Sequence, residues 1–320
     1  MRFTSINSND MASPVITSLT EKPSRAILLA LIVFTPLAYG AVHVWAYTLM
    51  EMLVVVMLTL ALIKIIWGKR EVRWVQHPVN IILGVFGIFV CIQLIAFPQG
   101  LIEVLSPEVM RIHNKYLSWF SIDSTNSQFT FSIYSQRTRI ELVKVLAYFG
   151  VFIFTINMVD QRKHINLVVL AIVLVGCFEG TYGIYQKLTE IEGAEWGKRN
   201  SLIGSAVSGT YINRNNFAGY LEMVIVLLFG QVVHLFAKKR RSRSEEDASR
   251  SGLNLKKILR DEEKHSKMFL LFSALFLMMA AVILSQSRGG VLSIAVGMSV
   301  VVAFSYRDIS FKGPMFFFVC

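Results

Sequence analysis

The sequence predicts an all-α membrane protein, a polytopic bundle of about eight transmembrane helices followed by the start of a ninth. Hydrophobic residues make up 54% of the 320 residues and charged residues only 17%, whereas about a quarter of a soluble domain is charged. The mean hydropathy is accordingly positive, at +0.55. The apolar residues also gather into blocks of roughly 17–22, the length of helix that crosses a bilayer core about 30 Å thick.

The apolar blocks and the polar segments between them predict the order of the chain. The first 25 residues are polar and lack the apolar core and cleavage site of a signal peptide, so we expect a cytoplasmic tail over 1–25. A single transmembrane domain follows over 26–320 and ends inside an apolar run that starts at Pro314. We therefore expect a domain that is truncated at its C-terminus. The predicted spans are 26–42, 46–67, 79–97, 142–159, 165–184, 217–236, 268–286 and 289–304.

The positive charges predict the orientation of the bundle. Of the 32 Lys and Arg residues, 21 fall in the N-terminal tail and the segments on its side of the membrane, and 9 in the alternate loops. Because cytoplasmic loops are enriched in Lys and Arg, this bias places the N-terminus in the cytoplasm. Loops 98–141 and 185–216 are then outside, and loop 237–267 is cytoplasmic. Its run Lys238–Arg241 is typical of a topology signal beside membrane lipids, so we expect no nucleic-acid partner.

Ionisable residues within the spans predict a polar cavity that opens outward. In this orientation Glu51, Glu179 and Glu222 lie in the outer halves of their helices, and Lys144 lies near an outer end. Lys64 alone lies at an inner end, where its amine can reach the lipid headgroups. Ionisable groups in hydrocarbon are costly and mark function by default. Pairing of these groups inside the bundle for structural reasons is the alternative.

The first outer motif, at residues 209–223, surrounds an arginine with amides and aromatic side chains. Asn213, Arg214 and Asn215 lie at the start of a predicted span. The start of a helix presents free N–H groups and a positive dipole end, both of which favour anions. A guanidinium adds a bidentate grip on phosphate oxygens. The motif therefore predicts a phosphate site, with Asn213, Asn215, Glu179 and Glu222 as supporting polar groups.

The second outer motif is the tight turn between the seventh and eighth spans. Ser287 and Arg288 precede Gly289 and Gly290, whose freedom of backbone conformation suits such a turn. Either arginine motif alone also fits a side chain that contacts lipid headgroups. Two such motifs on the same face favour an anionic substrate, and Ser287 joins the supporting groups.

Helical spacing predicts which side chains share a face of the fifth span and where spans pack closely. Glu179, Tyr182 and Gln186 are spaced so that they lie on one face. Gly176 and Gly180 form a small-xxx-small step that allows a neighbouring helix to approach. On the eighth span, the corresponding small residues are Gly289, Ser293 and Gly297.

The remaining chemistry-bearing residues predict no metal and no cofactor. Cys91, Cys177 and Cys320 all lie in apolar runs and read as small buried hydrophobes. His43 and His113 lie in outer segments without metal-ligand or triad spacing, so we prefer a structural role for both. The chain also has no glycine pattern typical of ATPases or dinucleotide-binding enzymes.

Four segments resemble one family of bacterial polytopic membrane proteins. The segments are Pro36–Tyr47, Glu179–Gln186, Gly209–Met223 and Ser287–Gly290. Together they resemble the O-antigen ligase/polymerase family over most of the chain between residues 30 and 304. The resemblance implies a fold related to the C-type glycosyltransferases. It also implies transfer of a glycan from an undecaprenyl-pyrophosphate carrier to an acceptor glycolipid or glycan, without metal or nucleotide sugar.

The resemblance further implies a location and a role for the two arginines. Members work at the periplasmic or extracellular face of the bacterial cytoplasmic (inner) membrane, in lipopolysaccharide or other surface-polysaccharide biosynthesis. Their outer arginines hold the pyrophosphate, a role that falls here on Arg214 and Arg288. A departing pyrophosphate gains negative charge, which fixed cations stabilise.

The sequence departs from the family in its catalytic base. Members carry a histidine in a large late outer loop, which corresponds to a position beyond Cys320. We therefore expect the 320-residue chain alone to be inactive. Ligase and polymerase remain open, as do a protein O-oligosaccharyltransferase and a transporter or flippase of lipid-linked glycan. A purely structural membrane subunit leaves the two arginine motifs without a purpose.

Overall fold

The computed structural model describes residues 14–67, 75, 77–119, 128–159, 161–189, 206–246 and 255–307. Several predictions fall partly or wholly outside the described residues. These are the first 13 residues of the cytoplasmic tail, residues 190–205 of the second outer loop, residues 247–254 of the cytoplasmic loop, and the ninth apolar run with Cys320.

Helix is the dominant structure in the described part of the chain, which confirms the all-α class. The helices are α1 (Pro14–Leu37), α2 (Val44–Trp67), α3 (Pro78–Leu94), α4 (Gln99–Leu105), α5 (Pro107–Trp119), α6 (Ser135–Met158), α7 (Arg162–Thr189), α8 (Arg214–Glu246), α9 (Leu255–Leu284) and α10 (Arg288–Arg307). A 3₁₀ turn, η1 (Tyr39–Ala41), lies between α1 and α2. Two short strands, β1 (Ala96–Pro98) and β2 (Gln128–Thr130), pair antiparallel.

Six helices of the described part are long and apolar enough to cross a membrane, as a multi-pass membrane protein requires. They are α2, α6, α7, and the apolar stretches of α8, α9 and α10. The predicted third span is α3, an apolar helix of 17 residues. The predicted first span falls in α1, which ends at Leu37 because the chain turns at Gly40, where φ is 66°. A total of eight spans therefore stays a prediction.

Two helices extend beyond the apolar blocks that predict them. α8 continues to Glu246 rather than ending at 236, and α9 begins at Leu255 rather than 268. The predicted cytoplasmic loop 237–267 is therefore helical at both ends. Lys, Arg and Glu fill much of these extensions and are good helix formers. Hydropathy therefore predicts the apolar part of such a helix but not its charged end.

The chain divides into two compact units, which are described separately. The first contains Met1–Leu28 and Tyr47–Asp160, and the second contains Leu29–Ala46 and Gln161–Cys320. In the first unit α2 and α6 pack closely, because a Cβ atom on Gly150 of α6 would lie 2.8 Å from Leu58 Cδ1 of α2. α3 joins them through the edge-on rings of Phe86 and Phe149.

Lys64 and Lys144, the two lysines within the predicted spans of the first unit, have partners within the protein. The Lys64 amine lies 2.6 Å from a carboxylate oxygen of Glu21 on α1, so it forms an ion pair where the sequence suggested contact with headgroups alone. The Lys144 amine lies 3.1 Å from Glu141 and 4.1 Å from the ring centre of Tyr47. These contacts support a structural role for Lys64 and Lys144.

The predicted outer loop 98–141 contains α4, α5, β2 and the start of α6. Ile102, Met110 and Phe129 form a small buried core between these elements. The His113 ring lies 5.4 Å from that of Phe129, in agreement with the structural role expected for His113. The loop therefore has an apolar centre of its own and is not an extended linker.

The second unit is a bundle in which alternate helices run parallel. Gly290 and Gly297 of α10 face Ala218 and Val226 of α8, in the same order along both helices. α7 and α9 are likewise parallel, since Gly176 approaches Met278 and Gly180 approaches Ala281. Parallel alternate helices follow from a chain that crosses back and forth. The buried core is Val207, Phe217, Ala218, Leu221, Val224, Ile225, Leu228, Val232, Leu275, Met278, Ala281, Val282 and Ile294.

The small residues of the eighth predicted span pack differently from the expectation. Of Gly289, Ser293 and Gly297, only Gly297 meets a neighbouring helix, where an added Cβ atom would lie 2.6 Å from Val226 Cγ2. Ser293 is exposed, and nothing lies within 4 Å of the Cβ position of Gly289. Gly290 makes the second close contact instead, because it precedes Gly297 by seven residues, about two turns, and so lies on the same face of α10.

Candidate functional site

The structure brings the starts of α8 and α10 together at one end of the second unit. Arg214 is the first residue of α8, and Arg288 is the first residue of α10. A Cβ atom on Gly290 would lie 2.9 Å from Ala218 Cβ, so the first turns of the two helices are in contact. Arg214 is half-buried and Arg288 is exposed. We call this end, with the adjoining C-terminal turns of α7 and α9, the arginine end.

Two of the predicted supporting residues act as helix caps. The Asn213 side chain accepts a hydrogen bond of 2.8 Å from the Asn215 N–H, as an N-cap residue does. The Ser287 hydroxyl accepts a longer bond of 3.4 Å from the Gly290 N–H. These bonds use N–H groups that the free helix ends would otherwise offer to an anion. If an anion binds at the arginine end, the two guanidinium groups are therefore more available to it than these N–H groups.

Removal of the Asn213 cap is expected to destabilise the protein modestly. We expect Asn213→Ala to lower the free energy of unfolding by about 1 kcal/mol, the usual value of an N-cap side chain. The measurement is thermal unfolding of the purified protein in lipid nanodiscs. Asn216→Ala is the matched control, because Asn216 is an exposed residue of the first turn of α8. Equal unfolding temperatures for the two variants would contradict the capping role.

Glu222 lies in the seam between α8 and α10. It follows Ala218 and precedes Val226 by four residues each, so all three lie on one face of α8. Ala218 and Val226 both contact α10. Arg214 begins the same stripe, two turns before Glu222. Glu222 is half-buried and therefore lies on the side of α8 that packs against α10.

The segment before α8, residues 206–213, is held by hydrogen bonds to three other parts of the unit. The Val207 N–H donates to the Leu284 carbonyl at the end of α9, at 3.3 Å. The Gln186 amide of α7 donates to the Gly209 carbonyl at 3.0 Å. Gly209 has a φ of 57°, a conformation that glycine adopts at little cost. The chain that leads into Arg214 is therefore fixed and not a free loop.

Glu179 is the centre of the third attachment. Its side chain is fully buried in α7, and its Oε2 atom accepts the Thr210 N–H at 2.9 Å. The Thr210 hydroxyl lies 2.5 Å from Glu179 Oε1 and 3.0 Å from the Pro36 carbonyl of α1. The predicted shared face of α7 is thus confirmed for Glu179 and Gln186, since both bind the same short segment. Glu179 faces the protein interior and is not an acceptor-facing surface group.

Aromatic rings fill the space beside this segment. The Tyr211 ring stacks on Tyr220 at 5.9 Å and meets Phe217 edge-on at 6.4 Å. A Cβ atom on Gly40 would lie 2.7 Å from Tyr211 Cε1, so the turn after α1 rests on the ring. Burial raises the pKa of the Tyr211 phenol. The phenol therefore stays protonated at neutral pH.

The turn after α1 adjoins the site, although its residues indicate no role for it beyond the family resemblance. Pro36 contributes a carbonyl and Gly40 a close contact, both to the 206–213 segment. His43 is exposed, and its ring lies edge-on to Tyr39 at 4.9 Å. Thr210 belongs to the first outer motif, residues 209–223, which likewise indicates no role for this residue. Contacts between residues about 170 positions apart leave no local signal in a single sequence.

The described residues contain no group of three or more His, Cys, Asp or Glu side chains that could hold a metal ion. Two guanidinium groups at the starts of adjacent parallel helices, with the positive ends of two helix dipoles, favour an anion at the arginine end. Comparison with known proteins adds no family: no family model, no curated protein and no solved structure matches this chain.

Proposed function

We propose that this protein transfers a glycan from an undecaprenyl-pyrophosphate carrier to an acceptor glycolipid or glycan at the outer face of a bacterial cytoplasmic membrane. The activity is that of an O-antigen ligase or a related surface-polysaccharide polymerase. The observation that carries the proposal is that Arg214 and Arg288 begin two contacting, parallel helices at one end of an apolar bundle. Two cations suit a pyrophosphate, which carries several negative charges next to a lipid tail.

The proposed chemistry is a displacement at the anomeric carbon of the donor sugar. The acceptor hydroxyl oxygen forms the new bond to this carbon, and the bond from the carbon to the pyrophosphate oxygen breaks. The acceptor proton passes to a general base, which in the family that the chain resembles is a histidine of a large outer loop. Arg214 and Arg288 stabilise the charge that accumulates on the departing pyrophosphate. Glu222, in the seam between the two arginine helices, is a candidate for contact with the acceptor.

The experiment that tests the proposal supplies the protein with a defined donor. The protein from its complete reading frame is purified into nanodiscs with a lipid-linked glycan that carries a radioactive sugar, and with lipid A–core as acceptor. We expect the label to move to the acceptor in the presence of EDTA and without nucleotide sugar, with free undecaprenyl pyrophosphate as the second product. Absence of transfer to any glycolipid or glycan acceptor would reject the proposal.

The same donor distinguishes the principal alternatives. In sealed vesicles, a flippase moves the labelled lipid between leaflets and leaves the sugar–phosphate bond intact. A protein O-oligosaccharyltransferase transfers the label to a protein hydroxyl and not to lipid A–core. Growth of the lipid-linked glycan without lipid A–core indicates a polymerase. Each outcome is read from the chemical identity of the labelled product.

A further inference from the structure

Glu179 is a fully buried carboxyl group without a cation to pair with among the described residues. In the described part of the chain, its hydrogen bonds go to Thr210. The titratable groups described near it are phenols, namely Tyr182 of α7, Tyr211 of the 206–213 segment and Tyr220 of α8. Tyr39 of η1 lies near Tyr182, and Met278 and Ala281 of α9 lie against Gly180 in the adjoining turn of α7. An ionised carboxylate in these surroundings loses its hydration without a compensating charge.

The hydrogen atoms around Thr210 decide between the two forms of Glu179. The Thr210 hydroxyl lies within hydrogen-bond distance of Glu179 Oε1 and of the Pro36 carbonyl oxygen. A hydroxyl group donates one hydrogen only. If Glu179 is ionised, the hydroxyl donates to the carboxylate, and the Pro36 carbonyl receives nothing from it. That carbonyl is in the last turn of α1, where helix carbonyls have no partner within the helix.

If Glu179 is neutral, its carboxyl group, the Thr210 hydroxyl and the Pro36 carbonyl all have a hydrogen-bond partner. Its acid hydrogen is donated to the Thr210 hydroxyl oxygen, and the Thr210 hydroxyl is then free to donate to the Pro36 carbonyl. The other carboxyl oxygen accepts the Thr210 N–H in either form. Buried polar groups are nearly always hydrogen-bonded, so the arrangement with the larger number of bonds is favoured.

We propose that Glu179 is a neutral carboxylic acid and a positioning residue, which joins α7 through Thr210 to the end of α1 and thereby fixes the chain that leads into Arg214. Thr210 precedes Arg214 by four residues. Glu179 thus acts on the arginine end through the backbone and does not contact the ligand. The inference holds for any ligand of the arginine end and does not depend on glycan transfer.

The protonation state is tested directly by infrared spectroscopy. Spectra of the wild-type protein and of Glu179→Gln are recorded at neutral pH in H₂O and in D₂O. We expect the wild-type protein to show a protonated carboxylic acid C=O band that shifts in D₂O and is missing in Glu179→Gln. A difference spectrum that contains only the bands of an ionised carboxylate would overturn the proposal. Glu222→Gln, on the half-buried carboxyl of α8, is the matched control and should leave the acid band in place.

Unfolding temperatures test the positioning role. Glutamine presents an oxygen and an NH₂ group and so imitates the neutral acid, which accepts with one atom and donates with the other. We expect Glu179→Gln to unfold within a degree or so of wild type and Glu179→Ala to unfold several degrees lower. If Glu179→Gln unfolds as early as Glu179→Ala, or fails to fold, the neutral-acid assignment is wrong.

The pH dependence and a threonine series complete the test. A group that is protonated when folded and ionised when unfolded binds more protons in the folded state, so stability falls as the pH is raised. We expect this fall in the wild-type protein and a weaker one in Glu179→Gln.

Thr210→Val should unfold at a lower temperature than wild type, and Thr210→Ser, which keeps the hydroxyl, should retain most of the wild-type stability. Thr181→Val is the control, since the Thr181 hydroxyl donates to a carbonyl on the exposed side of α7. Equal loss in Thr181→Val and Thr210→Val would contradict the positioning role.

Discussion

We expect Arg214→Ala or Arg288→Ala to lower the rate of glycan transfer by at least about 100-fold while the amount of protein in the membrane stays unchanged. Removal of one group that stabilises transition-state charge commonly costs about 100- to 1,000-fold in rate. Neither arginine makes an ion pair among the described residues, so its loss leaves no buried carboxylate without a partner. The measurement is transfer of labelled glycan to acceptor by purified protein from the complete reading frame.

The controls for the arginines separate charge from geometry and from general effects. Lysine keeps the charge but loses the bidentate grip, so Arg214→Lys and Arg288→Lys should retain part of the activity. Arg162→Ala is the matched control, because Arg162 is also an exposed arginine at the first position of a spanning helix, α7, and lies at the opposite end of the bundle in the predicted orientation. Full activity in both outer alanine variants would reject the pyrophosphate assignment.

Gly209→Ala is expected to be the most destabilising small substitution at the arginine end. Its backbone has a φ of 57°, and an alanine Cβ atom would lie 2.4 Å from Glu179 Oε2 and 2.7 Å from Phe217 Cε2. The left-handed conformation costs an alanine about 1–2 kcal/mol, and overpacking adds about 1–3 kcal/mol. We therefore expect the free energy of unfolding to fall by roughly 2–5 kcal/mol, with loss of glycan transfer as Thr210 is displaced.

The chain offers a matched control for Gly209. Gly219 lies ten residues later inside α8, and nothing stands within 4 Å of its Cβ position. Alanine is the better helix former by about 1 kcal/mol, so Gly219→Ala should leave stability unchanged or raise it. Chemical unfolding of both variants in the same detergent gives the comparison. If Gly209→Ala is as stable as Gly219→Ala, the contact with Glu179 described above is wrong.

Helices are the feature of this protein that a single sequence predicts best. A run of apolar residues of bilayer length leaves the backbone no partner but itself, so it forms a helix whatever its neighbours are. The apolar blocks at 46–67, 142–159 and 165–184 therefore correspond to α2, α6 and α7. Helix ends are predicted less well, since α8 and α9 continue as helix into charged segments where the hydropathy falls.

The sequence predicts on which side of the bundle the two arginines lie, but not which residues of α8 and α10 contact each other. Hydropathy and charge assign Arg214 and Arg288 to one side of the bundle, and local sequence explains why Asn213 starts a helix. That Gly290, and not Gly289, contacts α8 depends on the phase of α10 relative to its neighbour. Phase is fixed by packing between helices, for which one sequence provides no direct measure.

The helical class of the protein and the positions of most helices follow from the sequence alone, and so do the two arginines of the proposed anion site as candidates. Each of these predictions uses local properties: apolar length, the spacing of side chains on a helix, and the capping chemistry at its start. That Thr210 joins Glu179 to the Pro36 carbonyl, and that α8 and α10 are in contact near their starts, is seen only in the folded protein. These contacts join segments far apart in the chain, and they exist only because the burial of many other side chains brings the helices together.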